Sequence, residues 1–100
     1  MDGLDTYRRI TAMLRVKTIY NFKEIQPNDI IVILTAEEYY EYGDEVTDII
    51  EQFSGEALTV TSVDLTPNEF GEGSVMAQYH DGTLVSFTEH EIHTILRITE

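Results

Sequence analysis

Cysteine is absent from these 100 residues, which excludes a disulfide framework and any thiolate-held metal. Tryptophan is absent too, and proline occurs only twice, as Pro27 and Pro67. The longest apolar run is the five residues from Ile30 to Leu34, far below the roughly 20 needed to span a bilayer. No Asn-x-Ser/Thr glycosylation site occurs. The widest gap, however, is in positive charge. Between Glu24 and Leu96 there are sixteen Asp and Glu and not one Lys or Arg. Five of the six basic residues (Arg8, Arg9, Arg15, Lys17, Lys23) precede Glu24, and with Asp2 and Asp5 they leave residues 1–23 at +3. Arg97 cancels Glu100, so the whole chain stands at −13.

That imbalance excludes some partners and favours others. Phosphate contacts need Lys or Arg, so direct binding of DNA, RNA or an anionic membrane is not expected. A one-sign surface repels itself and destabilises the compact state, so a small domain that carries one is expected to use its field. Acidity of this degree also marks disordered chains, but those are poor in aromatic and branched apolar residues. Here 42% of residues are hydrophobic, including six Tyr and four Phe, which predicts a folded core. The length predicts a single domain over residues 1–100. Acids in Met1-Asp2-Gly3-Leu4-Asp5, where a secretion signal wants Lys or Arg, predict a cytoplasmic protein.

Periodicity divides the chain. Residues 3–15 read as an amphipathic helix, with Leu4, Tyr7, Ile10, Met13 and Leu14 on one side and Arg8, Arg9, Ala12 and Arg15 on the other. Its basic side could meet the acidic face of a second copy, making a homodimer conceivable. Residues 16–25 are β-prone, and Gln26-Pro27-Asn28-Asp29 is a turn signal. Ile30 to Thr35 reads as a strand covered on both faces. From Glu37 to Phe53 the period is helical. Tyr39, Tyr42, Val46, Ile49, Ile50 and Phe53 fall within an arc of about 100°, opposite a broad acidic arc. Gly43 is discordant, so one helix and two short helices with Asp44 capping the second are both consistent. Ser54-Gly55 supplies the stop. Beyond it the period is two: a strand over 57–64, a loop over 66–74, and strands over 75–80 and 83–88. These last two flank Asp81-Gly82, a type I′ hairpin signal. A short turn over 89–92 and a closing strand over 93–98 complete the chain.

The order of elements over 27–98 resembles an SH3-like small antiparallel β-barrel of the KOW type. The resemblance rests on Ile30-Ile31-Val32-Ile33 after a turn, a long first loop, and Gly55-Glu56-Ala57-Leu58-Thr59-Val60. It continues through Tyr79-His80-Asp81-Gly82-Thr83 and Phe87-Thr88-Glu89-His90-Glu91-Ile92. It implies an α+β domain: a barrel, an N-terminal amphipathic helix and an acidic helical segment in the first long loop. Nucleic-acid-binding barrels of this kind use basic and aromatic loops, whereas these loops are acidic, so that activity does not carry over.

Site chemistry is sparse. His90-Glu91-Ile92-His93 places two histidines at i, i+3, with His80 a candidate neighbour. Zinc proteases need His-Glu-x-x-His, so that both imidazoles share a helix face, and this spacing fails that test. Asp44 to Glu51 puts apolar residues at the alternating ligand positions of a calcium loop. No Gly-x-Ser-x-Gly or phosphate-cradling loop is present, and no nucleophile and base can be paired. Neither catalysis nor a cofactor is expected.

The acidic arc remains. Carboxylates at i, i+3 and i+4 recur every 5–6 Å or so along a helix face, without the Lys or Arg partners that usually stabilise them. Glu37, Glu38, Glu41, Asp44, Glu45, Asp48 and Glu51 would imitate a phosphate ladder, with Tyr40 as an aromatic anchor. The chain as a whole resembles small early proteins of Bacillus phages that disable host nucleic-acid-binding machinery by mimicking DNA. The resemblance implies a basic host partner in the host cytoplasm: the nucleoid protein HU first, then RNA polymerase or a CRISPR or restriction nuclease. Two rival readings are a structural or adaptor barrel module whose acidity serves solubility, and an acidic halophile protein. The +3 of residues 1–23 weighs against the last.

Overall fold

The computed structural model describes residues 15–41 and 47–99. Six strands form one antiparallel sheet: β1 (Arg15–Ile19), β2 (Ile30–Ile33), β3 (Ala57–Asp64), β4 (Ser74–Gln78), β5 (Leu84–Thr88) and β6 (Ile92–Thr99). Their order across the sheet is β1-β6-β2-β3-β4-β5. Strands β2 to β5 are a meander, while β6 returns through a 3-10 turn (Glu89–Glu91) to lie between β1 and β2. Among the described residues the sheet ends at β1 and β5 without closing, so the expected small barrel stands as a six-stranded, mostly β antiparallel sheet. The predicted helix over residues 3–15 lies outside the described residues, except that Arg15 opens β1.

Alternation sets which face is buried. Leu58 and Val60 of β3, Val75 and Ala77 of β4, and Ile31 and Ile33 of β2 all lie within the core. A bulge between Val60 and Ser62 resets the period, so that Val63 rather than Ser62 points inward opposite Val75. The Thr61 hydroxyl at the bulge donates to the Met76 carbonyl at 3.1 Å. Strand β2 departs from its expected two-sided cover. Ile31 and Ile33 are buried, but Ile30 and Val32 on the opposite face are only half-buried.

Turn chemistry fixes the connections. Asn28 has φ 76° after Pro27, and the Asp29 amide donates to the Gln26 carbonyl, which is a type II turn with Asn in the position that needs positive φ. The β4–β5 hairpin differs from the type I′ turn expected of Asp81-Gly82. Of those two residues only Gly82 has positive φ (95°), and Gly82 N–H donates to the Tyr79 carbonyl while Tyr79 N–H donates to that of Thr83. These bonds describe a three-residue loop ending in a glycine bulge, the next most common hairpin solution. The Asp81 carboxylate stabilises it by accepting from the Thr83 amide at 2.9 Å.

Gly73, before β4, is required for a different reason. A Cβ there would sit 3.0 Å from the Asp64 carbonyl, 3.1 Å from the Phe22 ring and 3.2 Å from Leu65 Cα. Two of those neighbours are backbone and cannot give way cheaply. Gly73→Ala is therefore expected to destabilise by about 1–3 kcal/mol, the usual cost of overpacking, measurable by urea denaturation. An unchanged midpoint would show that the loop yields instead. Among the described residues no helix is long and apolar enough to cross a membrane.

Candidate functional site

The connection from β2 to β3 carries the acidic segment, as two short helices: α1 (Ala36–Glu41) and α2 (Asp48–Phe53). Helix α1 opens on a capping box. The Glu38 amide donates to the Thr35 hydroxyl and the Thr35 amide to Glu38 Oε1, both at 3.1 Å. Helix α2 is capped by Thr47, whose hydroxyl accepts from the Ile50 amide at 3.2 Å. Of the two readings left open over 37–53, two short helices hold, with Thr47 as the cap of the second; Asp44 lies outside the described residues. Serine 54 follows α2 and accepts from the Ala36 amide at 2.9 Å, tying the end of one helix to the start of the other. Gly55 then adopts φ 71° and donates to the Ile33 carbonyl, sending the chain into β3.

Among the described residues of this insert, two are buried. Ile50 and Phe53 enter the core, where the Phe53 ring meets Tyr79 and Phe87 edge-on at 5.3 and 6.0 Å. Ile49, expected beside them, is 39% exposed, because a helix beginning at Asp48 turns that position outward.

The expected interface residues have separate fates. Glu37, Asp48 and Glu51 are exposed, and Tyr40 is 72% exposed. Glu41 is the last residue of α1. Asp44 and Glu45 lie outside the described residues. Glu38 is half-buried and engaged: besides its cap it approaches His93, with Oε2 3.4 Å from Nε2. The Thr35 amide and hydroxyl hold its carboxyl below the usual range against a small effect of burial, and the charge of His93 acts in the same direction. The seven acids are thus not one continuous stripe on one helix. The five that are described divide between two helices, Glu37, Glu38 and Glu41 on α1 and Asp48 and Glu51 on α2, with Glu37 and Asp48 in the first turns, where helix dipoles favour negative charge.

Several other acids have structural partners. Asp64 accepts from the Thr66 amide at 2.9 Å, which lowers its pKa. Glu91 accepts from the Thr88 amide and hydroxyl, and Glu72 meets His90 Nδ1 at 2.6 Å. Among the described residues the one buried acid is Asp29, 2% exposed. It accepts from Arg97 Nε at 2.8 Å and Nη2 at 2.9 Å, and from the Gln26 amide at 2.8 Å. Arg97 Nη2 also donates to the Glu24 carbonyl at 3.0 Å, so this guanidinium locks the Gln26–Asp29 turn to β6. Sequence reasoning missed this pair. It also missed the Thr35 box, although Thr35-Ala36-Glu37-Glu38 has the Ser/Thr-x-x-Glu signature.

The histidines are dispersed. The His80 ring lies against Tyr79, centroids 4.0 Å apart and planes tilted by 42°, while His90 and His93 face different carboxylates. Among the described residues no group of three or more His, Asp and Glu is placed to hold a metal. An open groove of about 270 Å³ lies between the end of β1 and the start of β6, lined by Thr18, Tyr20, Phe22, Glu89 and His93 among others. Among its described lining residues, Glu89, His93 and Tyr20 are the acid–base groups, and no nucleophile and base are paired there. No protein-family model matches the chain, and neither a curated protein nor a solved structure does.

Proposed function

We propose that this chain is an SH3-like small domain whose acidic helical insert acts as a DNA mimic. The insert binds the DNA-binding surface of a basic host protein, with the nucleoid protein HU first and RNA polymerase or a defence nuclease next. Occlusion is competitive, and long-range attraction steers the encounter. The SH3-like part is supported by the β2–β5 meander, the return of β6 beside β2 through a 3-10 turn, and the helical insert in the first long connection.

One observation carries the functional reading. Glu37, Asp48, Glu51 and the largely exposed Tyr40 stand on two capped helices, in a stretch from Glu24 to Leu96 that holds no Lys or Arg. An ordinary solvated helix face would intersperse cations at i, i+4. The caps at Thr35 and Thr47 and the burial of Ile50 and Phe53 hold the described helices, which lowers the ordering cost of presenting Glu37, Asp48 and Glu51.

The test is displacement. Purified HU carrying a fluorescent DNA duplex is titrated with the chain while anisotropy is followed. Release of the duplex, weakening steeply as salt is raised, is the expected result. Duplex that stays bound at large excess removes HU, and the same failure with RNA polymerase and the defence nucleases removes mimicry.

A further inference from the structure

A bulge and a strand end meet at the start of β6. Val32 stands opposite Thr94 and Ile33 opposite Ile92, so His93 is the extra residue of a β6 bulge, with no opposite number in that ladder. On the other side β1 ends at Ile19, opposite Ile95, and the chain turns into a 3-10 helix over Phe22–Glu24. The groove of about 270 Å³ lies at this junction. Its lining divides by chemistry. Tyr20, 92% exposed, and the buried Phe22 are aromatic, whereas Glu89 supplies a carboxylate and the bulged His93 an imidazole. A second carboxylate, Glu38 Oε2, lies 3.4 Å from His93 Nε2. Among the described residues no Lys or Arg lines the groove, although Lys17 and Lys23 adjoin lining residues in sequence.

We infer that this groove receives the side chain of an arginine from a basic partner segment. Size sets the scale. The volume falls below the roughly 300–1,000 Å³ of pockets that enclose a drug-sized ligand or cofactor, and it suits one side chain. Charge sets the sign. An anion would meet Glu89 with no lining Lys or Arg to hold it, and an apolar group would desolvate Glu89 and His93 without giving a hydrogen bond. A cleft walled by one sign of charge concentrates the opposite sign. Shape selects arginine over lysine. A planar guanidinium stacks on an aromatic face and donates in parallel to a carboxylate, which an ammonium does less well. The guanidinium stacks on Tyr20 and donates to Glu89, while its methylenes lie along Phe22. The groove and the acidic helices are separate sites, and nothing requires one partner to fill both. Arg8 and Arg9 of the same chain carry the same group, so the experiment separates the two sources.

NMR on the isotope-labelled full chain follows titration with Nα-acetyl-arginine methylamide and, in parallel, with its citrulline counterpart, a neutral compound of nearly the same shape. Shifts centred on Tyr20, Glu89 and His93 are expected, with a dissociation constant on the order of 1 mM, fitting for so small a ligand. The citrulline compound should bind at least about fivefold more weakly, and the lysine analogue about threefold more weakly. Tyr20→Ser should weaken binding about threefold while Tyr20→Phe leaves it unchanged, and Glu89→Gln should weaken it about tenfold. Glu69→Gln removes the same charge from an exposed position between β3 and β4 and should leave affinity within about twofold. Tyr20 and Glu89 are both exposed, so neither substitution removes a core contact, and circular dichroism checks folding. The comparison of the three compounds on the wild-type chain needs no variant. Shifts spread over α1 and α2, or equal losses from Glu69→Gln and Glu89→Gln, overturn the inference by reducing it to general attraction of a cation to a body of −13. Equal binding of the citrulline or the lysine compound overturns it as well. So does a double Arg8→Gln, Arg9→Gln variant in which the Tyr20, Glu89 and His93 signals move before any compound is added, because the groove then holds the chain's own arginine.

Discussion

Arg97→Met is expected to lower the melting temperature at neutral pH by roughly 12–20 °C, because it leaves the Asp29 carboxylate buried without its cation. Losing one partner of a buried pair costs about 3 kcal/mol, a large fraction of the 5–15 kcal/mol typical of a small domain. The geometry places this substitution above the other surface changes. Two guanidinium nitrogens reach the two carboxylate oxygens, and the turn that carries Asp29 is also tied to β3, since the Val60 amide donates to the Asp29 carbonyl. No other Lys or Arg lies beyond residue 23 to take over.

The same pair predicts a pH signature. Burial alone pushes the Asp29 carboxyl up, but the Arg97 hydrogen bonds, the Gln26 amide and the Arg97 charge together outweigh it and hold the group below the usual carboxylate range. A carboxyl depressed in the folded state stabilises fully above its unfolded value, near pH 4, and loses that contribution as pH falls through its folded value. In Arg97→Met the opposite sign holds, since an unpaired buried carboxyl is raised and its protonation relieves the folded state. The gap in melting temperature between wild type and variant should therefore narrow steadily from pH 7 to pH 3. Subtracting the two curves removes the common effect of the remaining acids. A gap that stays constant over that range would mean the guanidinium acts by packing alone.

The contrast between Asp29 and Glu37 marks how far sequence reading reached. Strand β3 was legible to the residue, and the Gln26–Asp29 turn and the break at Ser54-Gly55 were legible too, because alternation, proline and glycine act locally. The roles of individual acids were not. In a run of sixteen carboxylates the charge is visible, but whether an oxygen faces solvent or a neighbouring amide depends on tertiary placement. Asp29 meets Arg97 across 68 positions, and Glu72 meets His90 across 18. Glu38 was assigned to the acidic face because it shares a helical arc with Glu41 and Glu45, yet its Oε1 is committed to capping Thr35. Ile49 failed for a related reason. A single wheel drawn over 37–53 assumes a continuous helix, and restarting the helix at Asp48 rotates that position out of the core. The two-sided cover expected of β2 failed because an apolar run reports that side chains are apolar, not what lies beyond them. The outer half of that run is the face on which Ile30 and Val32 remain half-exposed.

Reversing the exposed acids should separate a mimic from a merely acidic surface. Glu37, Asp48 and Glu51 changed together to Lys take the net charge from −13 to −7. The same change at Glu24, Glu69 and Glu89, which are also exposed but lie outside the helical insert, gives an identical net charge. If binding to HU depends on the local arrangement, the first variant should lose roughly a hundredfold or more in affinity, since close charge pairs across such interfaces each contribute several kcal/mol at the upper end. The second should mainly slow association, by weakening the long-range field. Tyr40→Ala adds an uncharged probe of the same surface. A largely exposed tyrosine that anchors an interface costs on the order of tenfold or more when removed, and its loss should raise the dissociation rate rather than lower the association rate. Glu38→Gln is the complementary control: it weakens the cap of α1 and should shift thermal stability more than affinity. Equal losses in the two triple variants would mean the partner reads only total charge, and the two helices would then be a scaffold for acidity with no shape of their own to imitate.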